Sequence, residues 1–147
     1  IIDFGAGSGV VGIAAMLAGA REVLAVDLDP AALAACAVNA AINGVQLTLA
    51  PDLDAIQTPI DLIIAADVLY DRDNLHFLEA LPTLAPDVLI ADSRIKHFNH
   101  PHYRLLQTQT ATTWPDLEEH PEYNRVRVFE HTRSTLPNAP PLRRAST

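Results

Sequence analysis

Between residues 1 and 93 two apolar patterns alternate. Short continuous runs bounded by Gly, Pro or Asp occupy 1–4, 22–28, 47–50, 61–66 and 87–91. Longer stretches rich in Ala and Leu occupy 9–19, 30–43 and 74–84. Continuous apolar runs of four to seven residues predict strands buried on both faces, as in a parallel sheet, and the longer stretches predict helices. Gly19-Ala20 suits the end of the first helix. Asp29 and Pro30 supply an N-cap and a first-turn proline for the second, which Asn43-Gly44 closes. The third is closed by Pro82 to Pro86. This strand–helix alternation predicts a doubly wound α/β sheet.

Beyond residue 93 the pattern changes. Residues 94–106 predict an irregular helix interrupted by Pro101, and 107–114 and 124–131 read as strands, the second alternating Val126 and Val128 about Arg127. The domain is expected to span 1–133. Residues 134–147, proline-rich and polar, predict a disordered tail, in which Arg143-Arg144-Ala145-Ser146 is a chance match to a basic kinase site.

At 147 residues and 49% hydrophobic content the chain can bury a single core. No apolar run reaches 18 residues, so no membrane span is expected. One cysteine, Cys36 in an alanine-rich helix, precludes an internal disulfide, fits a reducing cytoplasm and reads as a small core residue. The net charge of −8 is concentrated: residues 1–74 hold ten acids against Arg21 and Arg72, whereas 75–147 balance eight against eight. An acidic first half disfavours nucleic acid and favours cationic or amine substrates.

The opening Ile1-Ile2-Asp3-Phe4-Gly5-Ala6-Gly7-Ser8-Gly9 reads as strand, tight turn and helix start. Glycines are needed where φ is positive or a ligand touches the backbone, and the helix behind them aims its free N–H groups at that ligand. A dinucleotide fingerprint needs a small residue where Val10 stands, and a P-loop needs a lysine that is missing here. What stands is D-x-G-x-G-x-G. It resembles the first motif of the class I, seven-strand S-adenosylmethionine methyltransferases. An acid suits a ligand whose methionyl end carries an ammonium and a sulfonium.

That resemblance implies a Rossmann-like, doubly wound seven-stranded sheet, mostly parallel with an antiparallel strand near the C-terminus. It also implies helices ahead of the first strand, and this chain opens inside that strand. Its cofactor residues map onto Asp3, Gly5, Gly7 and Gly9, with Asp27 at the end of the second strand as the ribose ligand. Asp52 or Asp54, after the third strand, would reach the adenine amino group, Asp52 being preferred.

The fourth strand ends in Asp67-Val68-Leu69-Tyr70, where nucleobase amino methyltransferases carry [N/D]-P-P-[Y/F]. The missing prolines count against a nucleobase. D-x-x-Y resembles the seven-strand protein-lysine methyltransferases, including the electron-transfer-flavoprotein β-subunit type, and the wider A-D-V-L-Y-D-R string resembles proteins labelled nicotinamide N-methylases. The resemblance implies an N-methyltransferase acting on a protein lysine, with small-molecule amine transfer, or cofactor binding without catalysis, as alternatives. Asp67 would hold the amine beside the cofactor and Tyr70 would wall its channel, with no metal required. Asp71, Arg72 and Asp73 read as a solvated turn, and His97, His100 and His102 as a loop lining the substrate rather than a metal site. Acceptor identity and oligomeric state have no signature in this sequence.

Overall fold

The computed structural model describes residues 1–56, 59–95, 98–112, 118 and 120–132. Seven strands form one sheet: β1 (Ile2–Phe4), β2 (Leu24–Val26), β3 (Thr48–Ala50), β4 (Leu62–Ala66), β5 (Asp87–Asp92), β6 (Arg104–Thr110) and β7 (Arg125–Thr132). Their order is β3-β2-β1-β4-β5-β7-β6. The first five pair in parallel, while β7 runs antiparallel to both β5 and β6. This is the Rossmann-like, mostly parallel sheet that the strand pattern and the motif resemblance implied. The order reverses between β1 and β4, so the carboxyl ends of β1, β2 and β4 meet at a topological switch point.

Among the described residues three α-helices connect the parallel strands: α1 (Val10–Leu17), α2 (Pro30–Ile42) and α3 (Phe77–Leu84). Right-handed crossovers place α1 and α2 on one face and α3 on the other. The α3 face holds the main core, in which Ile2, Ile63, Val88 and Ile90 meet Leu78 and Leu81. The α1/α2 face holds a small cluster of Ala6, Ala25 and Cys36. Coverage is therefore one-sided at the centre of the sheet. Along β5, Val88, Ile90 and Asp92 are buried and the residues between them only half-buried. The expected two-sided burial fails there because no described helix lies under that stretch.

The predicted caps form as read. Asp29 Oδ1 accepts from the Ala31 amide at 2.8 Å, Pro30 opens α2, and Gly44 takes φ +67° behind its end. Four expectations need correction. Among the described residues of 94–106 there is no helix: Asp92 Oδ1 captures the amides of Arg94 and Ile95, each at 2.7 Å, and Pro101 cannot donate. Consequently β6 starts at Arg104 rather than at 107, and all seven of its residues are exposed. Pro82 lies inside α3 rather than closing it, in a helix anchored by the buried Leu78 and Leu81 ahead of it. A 3-10 turn, Arg72–His76, takes up what was read as the start of that helix. The residues read as a tail, 134–147, and the end of the strand read over 107–114 lie outside the described residues.

Candidate cofactor and acceptor site

The glycine turn leaves β1 and is fastened to β2. The amides of Gly5 and Ala6 both donate to the Val26 carbonyl, at 2.9 and 3.0 Å. Gly5, Gly7 and Gly9 all have positive φ, 68°, 53° and 82°. At Gly5 a Cβ would lie 2.5 Å from Val68 Cγ1, and at Gly9 it would lie 3.0 Å from Cys36 Sγ. Gly7 differs: a Cβ there would meet nothing within 4 Å, so its requirement is backbone conformation and open space above the turn.

Two acids brace this turn. Asp3 is 2% exposed and its Oδ2 accepts from the Gly12 amide in α1 at 2.7 Å. Burial raises its pKa, the Gly12 hydrogen bond opposes that shift, and the nearby Asp27 charge adds to it. Asp27, at the end of β2, accepts from Gly7 N through Oδ2 at 2.8 Å and from Asp29 N through Oδ1 at 2.9 Å. A carboxylate has about four lone-pair sites, so both oxygens keep acceptor capacity toward a ligand lying over Gly7. Beside it Leu28 is 85% exposed, an apolar side chain that the sequence reading passed over. Its only sequence signal is an aliphatic residue directly after the strand-end acid.

The Asp27 amide donates to the Ala50 carbonyl at 3.2 Å, which sets the end of β3 next to this acid. Asp52, just beyond, is exposed and caps a short 3-10 turn by accepting from Asp54 N at 3.0 Å. Cys36 is fully buried beneath the glycines, its Sγ 3.3 Å from the Gly7 carbonyl it donates to. Burial raises its pKa, as do the charges of Asp3 and Asp27, which keeps it a protonated packing residue.

The D-x-x-Y loop packs directly on this turn. Val68 and Leu69 are buried, Val68 filling the space that the missing Gly5 side chain leaves, while Asp67 and Tyr70 stay exposed. Asp67 has φ +50°, the left-handed region that Asp tolerates better than most residues. Its Oδ1 accepts from both the amide and hydroxyl of Ser93, each at 3.0 Å, and Asn74 Nδ2 donates to the Val68 carbonyl at 2.8 Å. Ser93 and Asn74 are supports that only the fold reveals. Tyr70 faces the Arg94 guanidinium, 5.2 Å from its ring centroid, and Tyr123 stands 5.8 Å from the same group. A cavity of about 650 Å³ opens here, lined by Tyr70, Arg72, Arg94 and His100 among others. His100 thus lines this cavity, whereas His97 lies outside the described residues. His100 and His102 reach Glu79 of α3 at 3.1 and 3.9 Å, and no cluster of three potential metal ligands occurs among the described residues. A depression of about 720 Å³ at the opposite ends of β2 and β3, lined by Met16, Glu22, Gly44 and Thr48, holds none of the predicted site residues.

The sheet order, the glycine turn at the switch point and the acid at the end of β2 together define the fold of the class I methyltransferases. Solved structures with this fold include a ribosomal protein L11 methylase from Lactobacillus delbrueckii subsp. bulgaricus, at TM-score 0.62 and 22% identity over 90% of this chain and 69% of that one. Another is the magnesium protoporphyrin IX methyltransferase of Synechocystis with bound S-adenosylmethionine, at TM-score 0.63 and 21% identity, again over 90% and 69%. The family model for ribosomal protein L11 methyltransferase (PrmA) matches residues 1–76, more than half the chain. The chain belongs to this family. Curated relatives named ribosomal protein L11 methyltransferase include that of Psychrobacter cryohalolentis, 60% identical over 45 residues, which are 31% of this chain and 15% of the relative. That of Aliivibrio salmonicida is 42% identical over 71 residues, 47% of this chain and 24% of the relative. The chain therefore spans less than a quarter of the length of these relatives. Among the described residues no helix is long and apolar enough to cross a membrane.

Proposed function

We propose that this chain is the cofactor-binding and catalytic domain of an S-adenosylmethionine-dependent methyltransferase that methylates an amine of a protein, with a lysine side chain as the acceptor. The observation that supports it best is the contact between Val68 and Gly5, which couples the D-x-x-Y loop to the glycine turn. The residues present fit the cofactor. Asp27 has spare acceptor sites for ribose hydroxyls, and Gly7 leaves room for them. Leu28 offers an apolar surface to the adenine, and Asp52 takes its amino group. Asp3 acts from beneath the turn, its charge favouring a cation above and its bond to Gly12 holding α1 in place. When bound, S-adenosylmethionine supplies an electrophilic sulfonium methyl and leaves as S-adenosylhomocysteine.

This chain's own residues deal with the acceptor. A lysine ammonium has to lose its proton to expose a lone pair, and it has to be aimed. Asp67 Oδ1 is held by Ser93, which leaves Oδ2 to accept from the amine N–H and orient it. Tyr70 walls the channel with its exposed ring. The family points to a ribosomal protein as the acceptor, which supports a cytoplasmic setting and a protein partner rather than a nucleic acid.

Calorimetric titration with S-adenosylhomocysteine, with NAD in parallel, tests the cofactor assignment. Binding of the first alone supports it; binding of NAD alone would replace it. With ribosomal protein L11 as acceptor, Asp67→Asn should lower turnover at least roughly tenfold while leaving S-adenosylhomocysteine affinity within about twofold. Asparagine tolerates the same left-handed backbone, so the variant removes charge without moving the loop. Tyr70→Phe should have a smaller effect in the same direction. Normal turnover in both variants would remove the loop from the acceptor site.

A further inference from the structure

The half of the chain that carries the cofactor turn is strongly acidic, yet the cavity beside Tyr70 is basic. Arg72 and Arg94 line it, and neither meets a carboxylate at ion-pair distance among the described residues. The neighbouring acids are engaged elsewhere: Asp71 caps the amide of Asp73, and Glu79 faces His100 and His102. Arg94 is held in a particular way. Tyr70 and Tyr123 stand against its guanidinium at 5.2 and 5.8 Å, and its backbone amide is fixed by the buried Asp92. Aromatic contact occupies the faces of a guanidinium and leaves its in-plane N–H edge open, the edge that matches a carboxylate in a two-point hydrogen bond. Leu69, Leu75, Leu78, Ile95 and Phe98 make an apolar stretch of the wall, beside the polar Asn99 and His100. Such a stretch accepts the aliphatic stem of a long side chain.

We propose that this cavity is the sequence-reading subsite of the acceptor site, and that it takes an acidic side chain adjoining the methylated amine in a peptide segment of the protein substrate. Arg94 grips the carboxylate and Arg72 adds attraction at the rim. This rests on the methyltransferase reading and adds a specificity to it: an amine flanked by glutamate or aspartate is preferred over one flanked by neutral residues. The cost of bringing an anion to an otherwise acidic surface is offset locally by the two arginines. A ring-stacked arginine beside the residue that walls the acceptor channel also links recognition to alignment, because seating the carboxylate fixes Tyr70.

The test uses two fluorescein-labelled lysine peptides, identical except that glutamates flanking the lysine in one are glutamines in the other. Their binding to the whole chain is followed by anisotropy, with and without saturating S-adenosylhomocysteine. The glutamate peptide should bind about tenfold more tightly, and raising the salt concentration should narrow that gap. Arg94→Gln should abolish the preference, Arg72→Gln should reduce it, and Arg94→Lys should restore only part of it. Equal affinities for the two peptides, failure of both to bind, or a preference that survives in Arg94→Gln would overturn the proposal. Titration of each protein with S-adenosylhomocysteine keeps this result distinct from the cofactor assignment. Cofactor binding with no peptide preference rejects the subsite alone, and loss of cofactor binding in the parent chain rejects the methyltransferase reading.

Discussion

Gly5→Ala is expected to destabilise the fold by about 2–4 kcal/mol and lower the melting temperature on the order of 10 °C. Two costs add. The backbone of Gly5 sits at φ +68°, where a Cβ costs about 1–2 kcal/mol. The new methyl would also lie 2.5 Å from Val68 Cγ1. Val68 cannot swing away: it is β-branched, 8% exposed, and its carbonyl is held by Asn74. Relief has to come from displacement of the D-x-x-Y loop, which carries Asp67 with it, so turnover should fall further than cofactor affinity does. The double variant Gly5→Ala/Val68→Ala separates the terms. It should recover the part of the loss due to the clash and keep the part due to the backbone. Gly7→Ala, with open space around its Cβ position, should be the milder change in stability. A melting temperature for Gly5→Ala within about 1 °C of the parent would show that turn and loop are not packed together.

Local devices in this sequence translate directly into structure. Asp29 and Pro30 start α2, Gly44 follows its end, and Asp3 with the three glycines makes the turn at the switch point. Each of these depends on neighbours within a few positions, so a linear reading reaches them. The failures depend on distant partners. Residues 94–106 carry enough apolar side chains to suggest a helix, but the Asp92 carboxylate takes the amides that would begin it. That carboxylate is placed by β5, and β5 by its neighbours in the sheet. Arg94 read as one charge in an irregular stretch, and its stacking between Tyr70 and Tyr123 exists only because the sheet order brings the β4, β5 and β7 ends together. Ser93 directly follows β5, and its hold on Asp67 follows from β4–β5 pairing. Caps and turns are written locally, whereas the surroundings of Asp67 and Tyr70 are assembled by topology.

Asp27→Ala should weaken S-adenosylhomocysteine binding at least tenfold, a change of about 1.4 kcal/mol or more. The side chain has two tasks that the alanine cannot perform. It fixes the turn, accepting from Gly7 N at 2.8 Å and from Asp29 N at 2.9 Å, and in the proposed function its remaining lone pairs serve ribose hydroxyls. A hydrogen bond to a charged group contributes roughly 1.5–3 kcal/mol, so either loss alone would reach the predicted size. A ligand lacking the ribose 2′-hydroxyl separates them. In the parent chain this deoxy analogue should bind more weakly than S-adenosylhomocysteine, and in Asp27→Ala the two should bind alike, because the partner of the missing hydroxyl has gone. If Asp27 only braces the turn, both ligands weaken together and the gap between them persists. If Asp27 contacts only the ribose, the deoxy analogue binds parent and variant equally. Unchanged affinity for S-adenosylhomocysteine would place the acid outside the site altogether. The expected pattern is a large loss for the full ligand, a smaller one for the deoxy analogue, and a closed gap, because the same carboxylate holds the glycine turn and faces the space above Gly7.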